Sequence, residues 1–279
     1  MVPATVPKPA ANAALRDMQG DPTFEGADFE QGVLSQEQYK LFSAMPLDSQ
    51  GLPTADWLHY YTEASRLAFA DRALYVADPD FVQPPAGSWM SLLEPAYLAS
   101  RAQLIGAQSM KVAQPGTPGA LRTSFAPMPE QPEYGTSHIS IVDAFGNAVA
   151  MTTTIEDQFG SRQMVTTSAA RRGGFLLNNE LTDFSFAPTD AQGQPIANRV
   201  QPGKRPRSSM APTIVLKDGQ PILVVGSPGG SQIIGYVART IVGVLDWGMT
   251  PQAAIASMTT GRRFGGDDAA KYGLVEVSA

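Results

Sequence analysis

Gly135-Thr136 joins a breaker-rich stretch to a β-branched, alternating one, a placement from which a threonine could do chemistry. A threonine hydroxyl is a weak nucleophile until a base is near. One solution makes it the first residue of a chain, so that its own α-amine serves as the base. The preceding glycine leaves room for the backbone geometry that such self-cleavage needs. The plain alternative is an ordinary strand entry. Further on, GSPGGS over residues 226–231 follows an apolar strand pattern and precedes an apolar helical one. Backbone N–H groups free of side chains at such a point can cradle an anion or oxyanion. A tight turn needing small residues explains the same letters. The segment fits neither G-x-S-x-G nor a Walker loop.

Two more clusters carry polar chemistry. Asn178-Asn179-Glu180-Leu181-Thr182-Asp183 sets two carboxylates three residues apart, able to bind an ammonium group or to cap a turn. Lys204-Arg205-Pro206-Arg207-Ser208-Ser209 offers adjacent hydroxyls that could hold a carboxylate, or simply form a polar loop. With no cysteine, thiol nucleophiles, disulfides and thiolate metal sites are excluded. Only His59 and His138 could serve a serine triad or a zinc site, and their contexts suggest neither. No cofactor or metal is expected.

The elements around these residues follow from pattern. Thr54 can cap a helix in which Trp57, Tyr61, Ala64, Leu67 and Ala68 recur at helical spacing, ending before Asp78-Pro79. A second short helix is expected over Glu94–Ile105. The stretch QPGTPGALRTSFAPMPEQPEYG reads as an exposed linker ending at Gly135. Ser137–Val142 and Ala148–Ile155 make an antiparallel hairpin about a turn at 144–147. More strands are expected at Gly174–Leu177, Thr213–Leu216 and Pro221–Val225, the last two joined by a turn at 217–220. An apolar helix, Ile233–Trp247, should close on Gly248 as a left-handed cap. Another starts at Thr250-Pro251. Strands followed by helices make an α+β layered fold.

The 279 residues are 43% hydrophobic and only 16% charged, with 26 glycines and 23 prolines, which suits a loop-rich mixed fold with a sizeable core. Residues 1–135 carry 8 basic and 15 acidic side chains (−7), and residues 136–279 carry 12 and 11 (+1), giving the total of −6. No long basic face is offered to phosphates, so a nucleic-acid partner is not expected. The first residues lack a signal-peptide pattern, and no apolar run reaches membrane-spanning length. Residues 1–40 read as loop.

Taken in order, GTSHISIVDAFGNAV, NNELTDFS, PGKRPRSSMAPTIV and GSPGGS resemble the small subunit of gamma-glutamyltransferases (glutathione hydrolases). EASRLAFADRALYVADPDFV is similar to the end of their large subunit. The resemblance runs from about Trp57 to Phe264. It implies an N-terminal-nucleophile hydrolase with a four-layer αββα sandwich, truncated at both ends. It divides the chain into 1–135, a remnant of the large-subunit region with its linker, and 136–279, the catalytic region. Gly135-Thr136 would be the autoprocessing bond, Thr136 the nucleophile and Thr154 its hydrogen-bonding partner. Gly229 and Gly230 would supply oxyanion-hole amides. Ser208 and Ser209 would grip the α-carboxylate of a donor such as glutathione. Asp183 and Glu180 would take its α-ammonium, with Glu156 where many relatives have asparagine. Water, an amino acid or a peptide would be the acceptor, and the two fragments would stay associated. Relatives extend further at both ends, and none of the arginines here matches the family's carboxylate-binding one. Family members are usually periplasmic or extracellular. A beta-lactam side-chain acylase, or a non-catalytic remnant, are the alternative functions.

Overall fold

The structure, a computed structural model, describes residues 54–119, 124–133, 135–168 and 171–259. The loop expected over residues 1–40 and the end of the resemblance at Phe264 lie outside the described residues.

Helix α1, Ala55–Tyr75, begins where Thr54 accepts a hydrogen bond from the Trp57 amide at 3.3 Å. Its face of Trp57, Ala64, Leu67 and Ala68 is buried, as the spacing predicts. Leu67 and its neighbours meet Leu98 on α2, Pro95–Ala102. At the other end Trp57 stacks on Tyr61 and meets Trp247 edge-on, while packing against Val242.

Three antiparallel hairpins follow. β1 (Ser137–Val142) pairs with β2 (Ala148–Thr153), β3 (Met164–Ser168) with β4 (Arg171–Leu176), and β5 (Thr213–Lys217) with β6 (Gln220–Val225). The second strand was expected to run to Ile155. It stops at Thr153 because the Thr154 hydroxyl accepts the Glu156 amide at 2.8 Å and Glu156 turns to φ +71°. The partner β3 carries no strong alternation of its own and was not expected.

The first and third hairpins pack together through polar side chains. Ser140 Oγ donates to the Val224 carbonyl at 3.2 Å and sits 2.9 Å from His138 Nε2. With its one proton spent on Val224, Ser140 accepts from His138, leaving Nδ1 to accept from Thr152 Oγ1 at 2.8 Å. Burial lowers the pKa of this imidazole, consistent with a neutral ring. The ring lies so close to Gly226 that a Cβ there would collide with it. On the opposite face Ile139, Ile141, Val149 and Met151 stand exposed, with Ile139 across from Met151 and Ile141 across from Val149.

Helix α3, Ile233–Leu245, is buried on nearly every side, between the β5–β6 hairpin and α4, Pro251–Thr259. Val215, Leu223, Val237 and Ile241 form the centre of this core. Each such side chain contributes about 1.5–3 kcal/mol through burial. Gly248 ends the helix region at φ +67°, as expected.

The linker departs from expectation. Ala126 and Met128 are buried against Ile196, the Ala126 amide bonds the Pro195 carbonyl at 2.9 Å, and the Met128 amide bonds Ala73 at 2.8 Å. These two side chains and their amides anchor the linker at residues 126–128, while most of its other described residues stay exposed or half-buried. Long-range contacts tie α1 and the turn after it to the C-terminal half: Tyr61 Oη donates to Gly235 at 2.7 Å, and Arg205 clasps Asp78 (2.7 Å) and Asp80 (2.8 Å).

Candidate active site

Thr136 sits just before β1, with its hydroxyl against the carbonyl oxygen of Gly135. Thr154, just past β2, donates to the same oxygen at 3.0 Å. The β1–β2 register sets Ser137 opposite Thr153, so the ladder brings the two threonines level. Gly135 itself is at φ +56°, and a Cβ there would collide with the Glu156 carbonyl. Glycine is therefore required for both conformation and space.

A small cavity of about 20 Å³ opens beside this peptide bond. It is lined by Gly135, Thr136, Thr154, Glu156, Asp183, Ser208, Ser209 and Gly230, eight of the residues singled out in the sequence. Gly229 and Glu180 are not on its wall. Gly229 accepts the Gln232 amide at 3.1 Å, and Glu180 neighbours Asp183. Gly230 adopts φ +56° with the Glu133 backbone where its Cβ would be.

Asp183 ends a 3-10 turn, Glu180–Asp183. Burial, a hydrogen bond with Glu180, and the charges of Glu180, Glu133 and Glu156 push its carboxyl up to about 8. Glu180 Oε1 is buried with no donor among the described groups. The two acids thus form a site short of positive charge. Glu156, also buried, is held by the Asn179 side-chain amide.

Several residues that build the site were not legible as functional. Asn198 is buried and uses both ends of its amide: Nδ2 donates to the Asp183 carbonyl at 2.8 Å, and Oδ1 accepts the Arg207 amide at 3.1 Å. It fixes the acidic turn relative to the serine pair. Gln131, in the linker, donates to the Thr182 and Phe184 carbonyls at 2.9 Å each. Arg72 on α1 donates to Ser209 Oγ at 2.6 Å. Arg207 and Glu133 line the cavity with Met210 and Ile233. Arg207 stood inside the quoted KRPRSS run and Glu133 two residues before Gly135, so adjacency was the available signal. Nothing local marked Arg72 or Asn198. His138 and His59 lie elsewhere, the latter buried with Nε2 2.8 Å from the Gly106 carbonyl. No three acids or histidines among the described residues converge as a metal would require.

A hydroxyl against a carbonyl that a second hydroxyl polarises is an arrangement for acyl transfer from Gly135 to Thr136 Oγ. Comparison with known proteins agrees with this chemistry. Residues 18–265 match the family model described as Gamma-glutamyltranspeptidase. The chain is 39% identical over 228 residues to a glutathione hydrolase proenzyme of Pseudomonas sp. (strain A14), covering 80% of this chain and 37% of that one. To the glutathione hydrolase proenzyme of Escherichia coli (strain K12) it is 41% identical over 218 residues, 77% of this chain and 34% of that one. An acylase proenzyme (ACY 1) of Pseudomonas sp. (strain SE83) is 31% identical, over 80% of this chain and 36% of that one. The crystal structure of a cephalosporin acylase from Bacillus halodurans superposes with a TM-score of 0.59 at 27% identity, covering 80% of this chain and 35% of that one. The coarse fold is thus that of the N-terminal-nucleophile hydrolases. The chain spans between a third and two fifths of the length of these curated relatives. With the family model matching most of its residues, the chain belongs to the gamma-glutamyltranspeptidase family.

Proposed function

We propose that the chain cuts itself at Gly135–Thr136 and then transfers or hydrolyses gamma-glutamyl groups, glutathione among them, through an ester on Thr136. The observation that carries this reading is the pair of hydroxyls, Thr136 and Thr154, on one carbonyl oxygen. In the first step Thr136 Oγ bonds to the Gly135 carbonyl carbon, the Gly135–Thr136 C–N bond breaks, and the hydroxyl proton ends on the new amine. Water then hydrolyses the ester, leaving a Gly135 carboxylate and a free Thr136 amine. That amine is the base which activates Oγ for the donor amide. Gly230 and Gly229 supply the amides for the oxyanion of that second reaction. Ser208 and Ser209 take the donor's α-carboxylate, while Asp183, Glu180 and Glu156 take its α-ammonium, each contact strengthened by charge.

The same reading divides the chain into 1–135 and 136–279, held together after the cut, within a four-layer αββα sandwich. It carries over the family's usual periplasmic or extracellular location. Water, an amino acid or a peptide resolves the ester. The relatives named acylase supply the second reading, side-chain removal from a beta-lactam. Its donor brings no α-ammonium, so the acidic pair Asp183–Glu180 favours the glutamyl donor. N-terminal sequencing of the purified protein, with p-nitroanilide release from a gamma-glutamyl and from a glutaryl anilide, tests both. A new terminus elsewhere than Thr136 ends the nucleophile assignment, and faster glutaryl than glutamyl release favours the acylase.

A further inference from the structure

The proposed chemistry makes no use of His138, which stands on β1 two residues after Thr136. Its imidazole touches three strands. Nδ1 lies 2.8 Å from Oγ1 of Thr152, its partner across the β1–β2 ladder and two residues before Thr154. Nε2 lies 2.9 Å from Ser140 Oγ, which donates to the Val224 carbonyl of β6 at 3.2 Å. Contacts of this length fix the ring at both nitrogens.

The same ring fills the space beside Gly226, the first residue of the GSPGGS turn. Gly229 and Gly230 have positive φ, but Gly226 does not, so its backbone makes no demand for glycine. The imidazole does: a Cβ at Gly226 would collide with Nδ1, Cε1 and Cγ of His138. Four residues on, Gly230 lines the cavity with Thr136 and Thr154. Two backbone bonds shape the turn there. The Gln232 amide donates to the Gly229 carbonyl at 3.1 Å, and the Ile233 amide to the Gly230 carbonyl. His138 thus spans the nucleophile's strand and the start of the turn.

We propose that His138 is a positioning residue, which sets the GSPGGS turn where the Gly229 and Gly230 amides can meet an oxyanion formed at Thr136. This rests on the function proposed above, in which those amides serve the second reaction. A donor to an oxyanion helps only from the place where the charge develops, so misplacing it lowers kcat and spares ground-state binding. Self-cleavage draws instead on Thr154, which already holds the Gly135 carbonyl oxygen. The two reactions should therefore respond differently to loss of the imidazole.

The test pairs a structural readout with a kinetic one. His138→Phe keeps a ring beside Gly226 and removes both polar contacts. In the uncut Thr136→Ala chain it should speed hydrogen exchange at the Gln232 and Ile233 amides about tenfold, leaving the Val237 and Ile241 amides of α3 at parental rates. In the chain that can cut, it should lower kcat for a gamma-glutamyl anilide about tenfold, with KM unchanged and fragments appearing at close to the parental rate. His138→Gln, whose amide can reach Ser140 as Nε2 does, should restore most of both losses. Ser140→Ala should reproduce them and add nothing to His138→Phe, since the two lie on one path. Gly226→Ala, by pushing the ring aside, should lower kcat in the same way. Parental exchange at Gln232 and Ile233 in His138→Phe overturns the proposal whatever the activity. Faster exchange with parental kcat, or additive losses in the double variant, overturns it too. If the parent never turns over a gamma-glutamyl anilide, the function above fails, and exchange alone decides whether His138 holds the turn.

Discussion

The Thr154 hydroxyl points its proton at the carbonyl oxygen of Gly135, 3.0 Å away, and not at an atom of the donor site. In the proposed self-cleavage this threonine would polarise the bond that breaks. Removing such a donor from an acyl-transfer site costs on the order of 10²-fold in rate. Thr154→Ala should slow the appearance of two fragments by about that factor, read as band intensity on a gel over time. Thr136→Ala should give one band indefinitely. Unchanged cleavage kinetics in Thr154→Ala would remove the polarising role.

Gly135→Ala places a side chain where the Glu156 carbonyl stands, at a left-handed backbone position. The conformation alone costs roughly 1–2 kcal/mol, and relief of the collision moves the scissile carbonyl away from Thr154. Urea unfolding should show at least that loss of stability. Cleavage should also slow by more than tenfold, which the stability loss would not cause.

Asp183→Asn separates the two reactions of the proposed function. An ammonium left without its buried partner costs on the order of a few kcal/mol, so gamma-glutamyl anilide turnover should fall about 10²-fold or more. Self-cleavage involves no ammonium and should proceed at the parental rate. Parental turnover in the variant would reduce Asp183 to a loop residue.

The same carboxyl predicts how stability follows pH. Folded, Asp183 is pushed up from 3.8 to about 8. Below about pH 4 both folded and unfolded chains hold the proton. Between 4 and 8 only the folded state keeps it, so this group makes stability fall as pH rises through that window. Asp183→Asn should flatten the slope in thermal midpoints measured from pH 5 to 8. Asp78, held well below the usual carboxylate range first by its hydrogen bond with Arg205, acts oppositely: its stabilisation is lost as the solution turns acid.

Ile241→Ala probes the core that holds the GSPGGS turn in place. The side chain is fully buried between β5–β6 and α4. Its removal should cost about 2–5 kcal/mol in urea unfolding, with the terminus of any cleaved product still at Thr136.

Much of the frame was legible because it rests on local rules. Thr54 caps α1, the apolar spacing chose its buried face, and the turn at 217–220 joined β5 to β6. The end of β2 was not legible, because Thr154 leaves the ladder to bond Gly135, which lies 19 residues away in sequence. Alternation marked β1 and β2 as strands, yet the polar side, His138 and Ser140, packs on the β5–β6 hairpin while the apolar side faces out. Periodicity cannot tell which of two faces is turned inward. In the site, motif residues were readable as motifs, but Asn198 and Arg72 act through contacts 15 and 137 residues distant, and no pattern in a single chain announces those.

The Arg205 clasp on Asp78 and Asp80, the Tyr61 bond to Gly235 and the packing of Trp57 on Val242 all bridge the Gly135–Thr136 boundary. While the chain is whole, these contacts close a loop, and their strength is independent of protein concentration. A single hydrolysis would turn them into the interface of a two-part complex, subject to mass action. Dilution would then oppose the assembly as heat does, and its thermal midpoint should rise with concentration after cleavage but not before.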